Sequence, residues 1–478
     1  MAKEGAILYS KMFNRGFMKN MYFVLILSSL INLEAALQWN SSAQFSTQST
    51  QNPQNIALAC DRANERVVAA WANDSTFALY YAVYDGTNWG TSNPIPLVSS
   101  NGGAFVNLAY NENSGQVFAI WSDQISAKIY FAIYEGTNWT TPAQINLGGP
   151  SEGTNPSIAY DKTSLKMIAT WLNSGNGHPY YSIFDGVAWS SALISGEAVQ
   201  NLATLAYDDL NGYLYTFWGK DVDYKPALSF FNGSTWSSPQ EIGGTSLVYN
   251  DIFAVFDKAS SQLVAAWSDR ATRTPYYSIF DGTSWSESLP IPMGGGTNQA
   301  QEDVFLAYDP YLGRVVATWA DKVNFLPFYS IYNGESWGEP LPIPRGATNG
   351  VLEDVYSVYY PSQNQMVAAW SDHSTSHPFY SYTTPQSIAP TNVSGNQRKN
   401  QVPLQEQYFN TIIWSPSPSP EIVYYNIYRD GVLTESISVG EPLSYTDYEI
   451  NWKEGYTYSV TAVDLIGVES EPINIFIQ

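Results

Sequence analysis

Six pairs of tryptophans in this chain share one separation: Trp71/Trp89, Trp121/Trp139, Trp171/Trp189, Trp218/Trp236, Trp267/Trp285 and Trp319/Trp337 are each eighteen residues apart. The pairs recur every 47 to 52 residues, and Trp370 supplies the first member of a seventh. A period of this length marks a chain built from one supersecondary unit per period. Such a unit cannot bury its apolar surface alone and must stack on its neighbours.

The unit reads off residues 252–291 as four strands. Residues 252–256 and 262–267 are apolar runs parted by the turn Asp257-Lys258-Ala259-Ser260. Ser268-Asp269 opens a polar loop that ends at Pro275, residues 276–280 form a third run, and Asp281-Gly282 turns the chain into a fourth strand headed by Trp285. Asp-Gly suits a tight hairpin because it tolerates positive φ. No helical periodicity interrupts the pattern, so each period predicts one antiparallel sheet. The second run is apolar on both faces: Val315, Ala317 and Trp319 alternate with Val316 and Thr318. A sheet with one wet face would alternate with polar residues, so neighbouring sheets must cover both faces.

Four-stranded sheets repeated radially predict an all-β fold, a seven-bladed β-propeller. The seventh repeat lacks its second tryptophan; Ile388 stands eighteen residues beyond Trp370. Trp39, however, lies 32 residues before Trp71, as Trp89 lies 32 before Trp121. An N-terminal strand within residues 37–45 is therefore expected to complete the last blade and remove the exposed edges of an open array. The propeller is assigned to residues 37–385.

The fifty-residue pattern stops after Ala389-Pro390. Thr411-Ile412-Ile413-Trp414, then Tyr425-Asn426-Ile427-Tyr428 and the run 455–464, resemble a fibronectin type III domain. Trp414 matches the family's core tryptophan and Tyr458 its corner tyrosine. The leucine and proline usual before that corner are Trp452 and Glu454 here. The resemblance implies a C-terminal fibronectin type III-like β-sandwich over residues 389–478.

Aromatic residues reach 15% while charged residues fall to 13%, a profile that suits strands. With 21 basic and 43 acidic residues the net charge is -22, which repels phosphate backbones and excludes nucleic acid as a partner. The lone Cys60 excludes an intrachain disulfide; it stands where other repeats carry Tyr110, Tyr160, Tyr207, Phe256, Tyr308 and Tyr359. Lys11, Arg15 and Lys19 precede an apolar run at 21–31, and Ala35-Ala36 offers a cleavage site. Residues 1–36 thus read as a signal peptide, with Met18 as a second candidate start. The run is short for a membrane span, so no transmembrane segment is expected after cleavage. The expected location is secreted or at the cell surface.

In a propeller the loop between strands two and three shares a face with the connection between blades. That face gathers a Trp-x-Asn/Asp element from six repeats: Trp71 and Asn73, Trp121 and Asp123, Trp171 and Asn173, Trp267 and Asp269, Trp319 and Asp321, Trp370 and Asp372. A flat ring beside an amide or carboxylate suits a sugar, whose C–H face lies on the ring while its hydroxyls bond the polar group. These twelve residues are the candidate ligand-binding set; packing between blades and capping of the loop are the other roles open to them. Asp251, Asp303 and Asp354 share one position, five residues before the aromatic of the first strand, and Asn55 and Asn155 hold it in two other repeats. These carboxylates could attract a calcium ion at the channel mouth, or serve as ordinary turn residues. No other cofactor, no metal centre and no catalytic residue is assigned.

Residues 278–285 are similar to the Asp-box turn of sialidases. Ser278, Gly282 and Trp285 match, while Phe280 takes the aspartate's place and Asp281 falls one residue late. Sialidases need a clustered arginine triad, whereas Arg62, Arg66, Arg270, Arg273, Arg314 and Arg345 are scattered. In architecture and composition the ring resembles bacterial and fungal seven-bladed lectins. That resemblance implies a non-catalytic, multivalent binder of carbohydrate or of a cell surface. Two alternatives stay open: an exported glycan hydrolase or lyase on a sialidase-like propeller, and a protein-binding surface scaffold.

Overall fold

The computed structural model describes residues 37–478 apart from 51–55, 74, 98–101, 146–152, 191–192, 195–197, 293–298, 349, 385–386, 403–404, 418, 420–421, 453 and 465–466. The expected export signal at 1–36 and Asn55 lie outside the described residues. Among those described, no helix is long and apolar enough to cross a membrane.

The second strand of a repeat decides the packing. Arg314–Ala320 is buried at every residue, as its two apolar faces require. Among the described residues, seven four-stranded antiparallel sheets form around such strands. Their innermost strands are Ala57–Asp61, Gly103–Asn111, Thr154–Asp161, Val199–Asp208, Val248–Asp257, Phe305–Asp309 and Tyr356–Tyr360. Each innermost strand lies against the next, and Tyr356–Tyr360 lies against Ala57–Asp61, so the cycle closes. The arrangement is a β-propeller around an axial channel.

The amino-terminal strand Ala43–Gln44 completes the sheet that contains Tyr356–Tyr360. It pairs antiparallel with Pro378–Tyr382, Ala43 opposite Tyr380 and Gln44 opposite Phe379. The aromatic rings beside this strand grip the sheets on either side. Trp39 lies 5.8 Å from Tyr329, and Phe45 stacks on Trp89 at 4.3 Å.

The core sits between sheets. Trp71, Trp121, Trp171, Trp218, Trp267, Trp319 and Trp370 are among the largest fully buried side chains. The second tryptophan of a repeat seals against the third strand of the preceding sheet: Trp139 on Tyr81 at 5.6 Å, Trp189 on Phe131 at 5.6 Å, Trp236 on Tyr181 at 5.4 Å and Trp337 on Tyr277 at 5.7 Å. Each buried indole contributes about 4–6 kcal/mol as an upper bound from the area removed from water. Packing alone therefore accounts for so regular a pattern.

The C-terminal region holds a three-stranded sheet and a four-stranded sheet around one core of Ile412, Trp414, Tyr425, Ile427, Tyr458, Val460 and Ala462. The Tyr458 hydroxyl donates to the Asp447 carboxylate at 2.6 Å and accepts from the Asn410 amide at 3.1 Å. Arg429 reaches the same carboxylate at 2.8 Å.

Candidate functional site

The six Trp-x-Asn/Asp elements lie on the expected face but not in clefts. The loops after the second strands meet the connections between sheets: the Arg270 N–H donates to the Leu247 carbonyl at 2.7 Å, and the His373 N–H to the Gly350 carbonyl at 2.9 Å. Yet Trp71, Trp121, Trp171, Trp267, Trp319 and Trp370 are at most 2% exposed, so no indole face is open to a sugar. Their polar companions turn inward on their own loops. Oδ1 of Asn73, Asp123, Asn173, Asp269, Asp321 and Asp372 each accepts the backbone N–H groups two and three residues on, at 2.6–3.2 Å. Those N–H groups would otherwise lack partners in a tight loop. The second oxygen of Asp372 accepts the Thr348 hydroxyl at 2.7 Å, which ties loop to connection. The ligand-binding reading of these twelve residues is thereby corrected. The indole that ends each second strand packs between sheets, and the residue two positions on caps the turn.

Asp251, Asp303 and Asp354 do meet at one mouth of the channel. Asp303 accepts the Asp251 backbone N–H at 2.9 Å and the Asn250 side-chain amide at 3.0 Å. Asp354 accepts the Asp303 N–H at 3.0 Å. The Asp303 and Asp354 carboxyls thus each hold the backbone of the preceding sheet, a ladder that joins three sheets. Among the described residues no group of three His, Cys, Asp or Glu side chains is placed to hold a metal ion, so the calcium reading finds no support here.

The ladder forms one wall of a basin of about 240 Å³. Asn107, Asn155, Thr204, Glu302, Glu353, Phe253 and Tyr356 line the rest of it, and Asn250 lies beside the ladder. Phe305 supports the rings, 3.9 Å from Phe253 and 3.8 Å from Tyr356 between centroids. Local backbone geometry aims the amides. Asn155 has a φ of 49° at a register break between Thr154 and Ser157, and Phe105 a φ of 51° between Ala104 and Asn107. Such bulges redirect a strand end.

Burial pushes the Asp303 carboxyl up to about 7, with Glu302 adding to the shift and the Asp251 N–H opposing it. Burial, then the charges of Glu302 and Asp303, push Glu353 up to about 7. Asp251 and Asp354 are raised well above the carboxylate range, first by burial and then by Asp303. Burial raises Glu302 as well, against the pull of Arg273 and Lys322. Near neutral pH the basin therefore offers both protonated carboxyl donors and carboxylate acceptors beside amides and rings.

The opposite mouth opens on a cavity of about 440 Å³ ringed by Tyr110, Tyr160, Tyr207, Tyr308 and Tyr359. Its charges pair with one another: Arg62 with Glu112 at 3.0 Å, Lys162 with Glu112 at 3.7 Å and Asp209 at 3.0 Å, and Lys258 with Asp209 at 3.1 Å. These residues fall at one position in five successive repeats, and Pro310 and Pro361 take it in the last two. The thiol of buried Cys60 is pushed up to about 12, first by burial, which removes it as a nucleophile.

The basin's Asn107, Glu302, Glu353, Phe253 and Tyr356 were not among the sequence candidates. The signal for them was the repeated Glu-Asp pair at 302–303 and 353–354, legible once the repeats are aligned.

No family model and no curated protein matches this sequence. Among solved structures, the chain is similar to an Aleuria aurantia lectin in complex with alpha-methyl-L-fucoside, at 12% identity over 64% of this chain and 98% of that one, TM-score 0.42. It is similar to the Dos1 propeller at 8% identity over 73% of this chain and 95% of that one, TM-score 0.47. It is similar also to Kuenenia stuttgartiensis hydrazine synthase, at 10% identity over 73% and 97% of the two chains, TM-score 0.47. Values this low assign no activity or ligand to the chain.

Proposed function

We propose that the chain is an exported, non-catalytic carbohydrate- or cell-surface-binding protein. In this reading a seven-bladed propeller spans residues 37–385, and a fibronectin type III domain follows at 389–478. The principal site is the basin at the acidic mouth of the channel. One observation carries the proposal: Asn107, Asn155, Asn250, Glu302 and Glu353 converge around Phe253 and Tyr356 in a single concavity. Rings for C–H faces, with amide donors and carboxylate acceptors for hydroxyls, are the chemistry that recognises a polyhydroxylated ligand. The turns resembling Asp-boxes act as braces in this account; the Ser278 hydroxyl donates to the Ser286 carbonyl at 2.8 Å within its own sheet.

Glycan-array binding by the mature protein tests the reading. Binding to a defined set of glycans supports it; binding to none, with capture of a protein partner instead, favours the scaffold alternative. The hydrolase alternative has one observation behind it, the Glu353 carboxyl held near 7 beside Glu302, because a general acid needs such a shift. Release of reducing sugar from a polysaccharide panel would establish that alternative.

A further inference from the structure

The charge of the basin is one-sided. Asp251, Glu302, Asp303, Glu353 and Asp354 line it, and none of the described residues lining it is basic. Arg273 and Lys322 act on Glu302 from outside that lining. Arg273 lies over the Tyr249 ring at 2.9 Å and donates to the Gln301 carbonyl at 2.6 Å, while Lys322 is exposed. The ladder also ends on an open acceptor. Asp303 and Asp354 each accept a backbone N–H, but Oδ1 of Asp251 is buried and accepts no hydrogen bond from the described residues. A buried carboxyl oxygen without a donor is unfavourable, and a cation brought beside it relieves the strain of its burial. Phe253 and Tyr356 line the same basin. A ring face attracts a cation as well as the C–H face of a sugar.

We propose that the basin selects a sugar that carries a protonated amine, a glucosamine-type unit, over the same sugar with its nitrogen acetylated. The inference rests on the basin reading and narrows it. An ammonium group has three donors to offer Asp251, Glu302 and Glu353, and it compensates their charge. An acetamido group brings one N–H donor and no charge, so the carboxyls stay uncompensated. The basin, at about 240 Å³, is smaller than the roughly 300–1,000 Å³ of sites for drug-sized ligands, so it takes one sugar ring rather than a length of chain.

The test is calorimetric titration of the full chain at about pH 6.5, below the range in which amines lose their proton. The probes are a glucosamine tetramer, its fully N-acetylated counterpart, and spermidine, an amine without a sugar ring. Wild type is compared with Asp251→Asn and Glu353→Gln, both close to isosteric, and with Glu287→Gln, which removes an exposed carboxylate outside the basin lining. Circular dichroism and melting establish that each variant is folded. Wild type should bind the glucosamine tetramer at least tenfold more tightly than either other probe. Asp251→Asn and Glu353→Gln should each weaken that binding tenfold or more, and Glu287→Gln should leave it unchanged. Equal or tighter binding of the acetylated tetramer overturns the selectivity and leaves the basin reading standing. Binding of neither tetramer also overturns it, and the glycan array then decides the basin reading separately. Unchanged affinity in both basin variants, or equal weakening by Glu287→Gln, reveals diffuse attraction to the net charge of -22 and overturns the assignment to the basin. Spermidine binding as tight as the glucosamine tetramer's overturns the sugar.

Discussion

Tyr311, on the ring, donates its phenol hydrogen to the carboxylate of Asp464, 153 residues further along in the C-terminal sheets. Both side chains are buried, and the Ser387 hydroxyl donates to the same carboxylate oxygen at 3.1 Å. The ring and the C-terminal sheets are thus joined by a desolvated, charge-assisted contact rather than by a tether alone. Tyr311→Phe should cost about 1.5–3 kcal/mol, the worth of a hydrogen bond to a carboxylate acceptor. Urea unfolding measures the loss, and faster proteolysis after Tyr382 would show that it falls on the joint.

Trp319→Ala should destabilise the protein by about 3–5 kcal/mol, because the indole is fully buried between two sheets. Trp452→Ala, at an exposed position, should change stability by no more than about 0.5 kcal/mol. Equal effects from the two would contradict the division between core and surface tryptophans.

The period of the tryptophans made the sheets, their strand order and the closing strand legible, because two-faced apolar strands leave few ways to cover both faces. The roles of Trp319 and Asp321 were harder to read. A Trp-x-Asp element looks the same whether the indole faces a sugar or a neighbouring sheet, and only the packing separates the two. The basin was hidden for another reason. Asn107, Asn250 and Glu353 come from different repeats and converge only when the ring closes.

Trp39→Ala should cost about 3 kcal/mol, since the indole is nearly buried and contacts Tyr329 of the neighbouring sheet. A weakened closing strand also leaves Pro378–Tyr382 as an open edge. Association that grows with concentration is the expected consequence, and size-exclusion chromatography over a concentration series checks it.

Stability should fall as pH rises through the window from about 4 to 7. The carboxyls of Asp303 and Glu353 sit at about 7 in the folded chain, above their ordinary values of 3.8 and 4.5. The native state therefore binds more protons than the unfolded state across that window, and each proton lost on raising the pH weakens folding. The upward shifts of Asp251 and Asp354 act in the same direction. Urea midpoints between pH 4.5 and 8 should decline, and Glu353→Gln should decline less. A rising profile would contradict the carboxyl environments described.

Glu353→Gln also isolates the binding claim, because it removes a partly buried, ionisable carboxyl from the basin wall while nearly keeping its volume. Calorimetric titration of wild type and of this variant, with a glycan selected by the array, is the most direct measurement. The account predicts binding weakened tenfold or more in the variant, with an unfolding midpoint at pH 7 that is unchanged or higher. Equal affinity in the two proteins would contradict it.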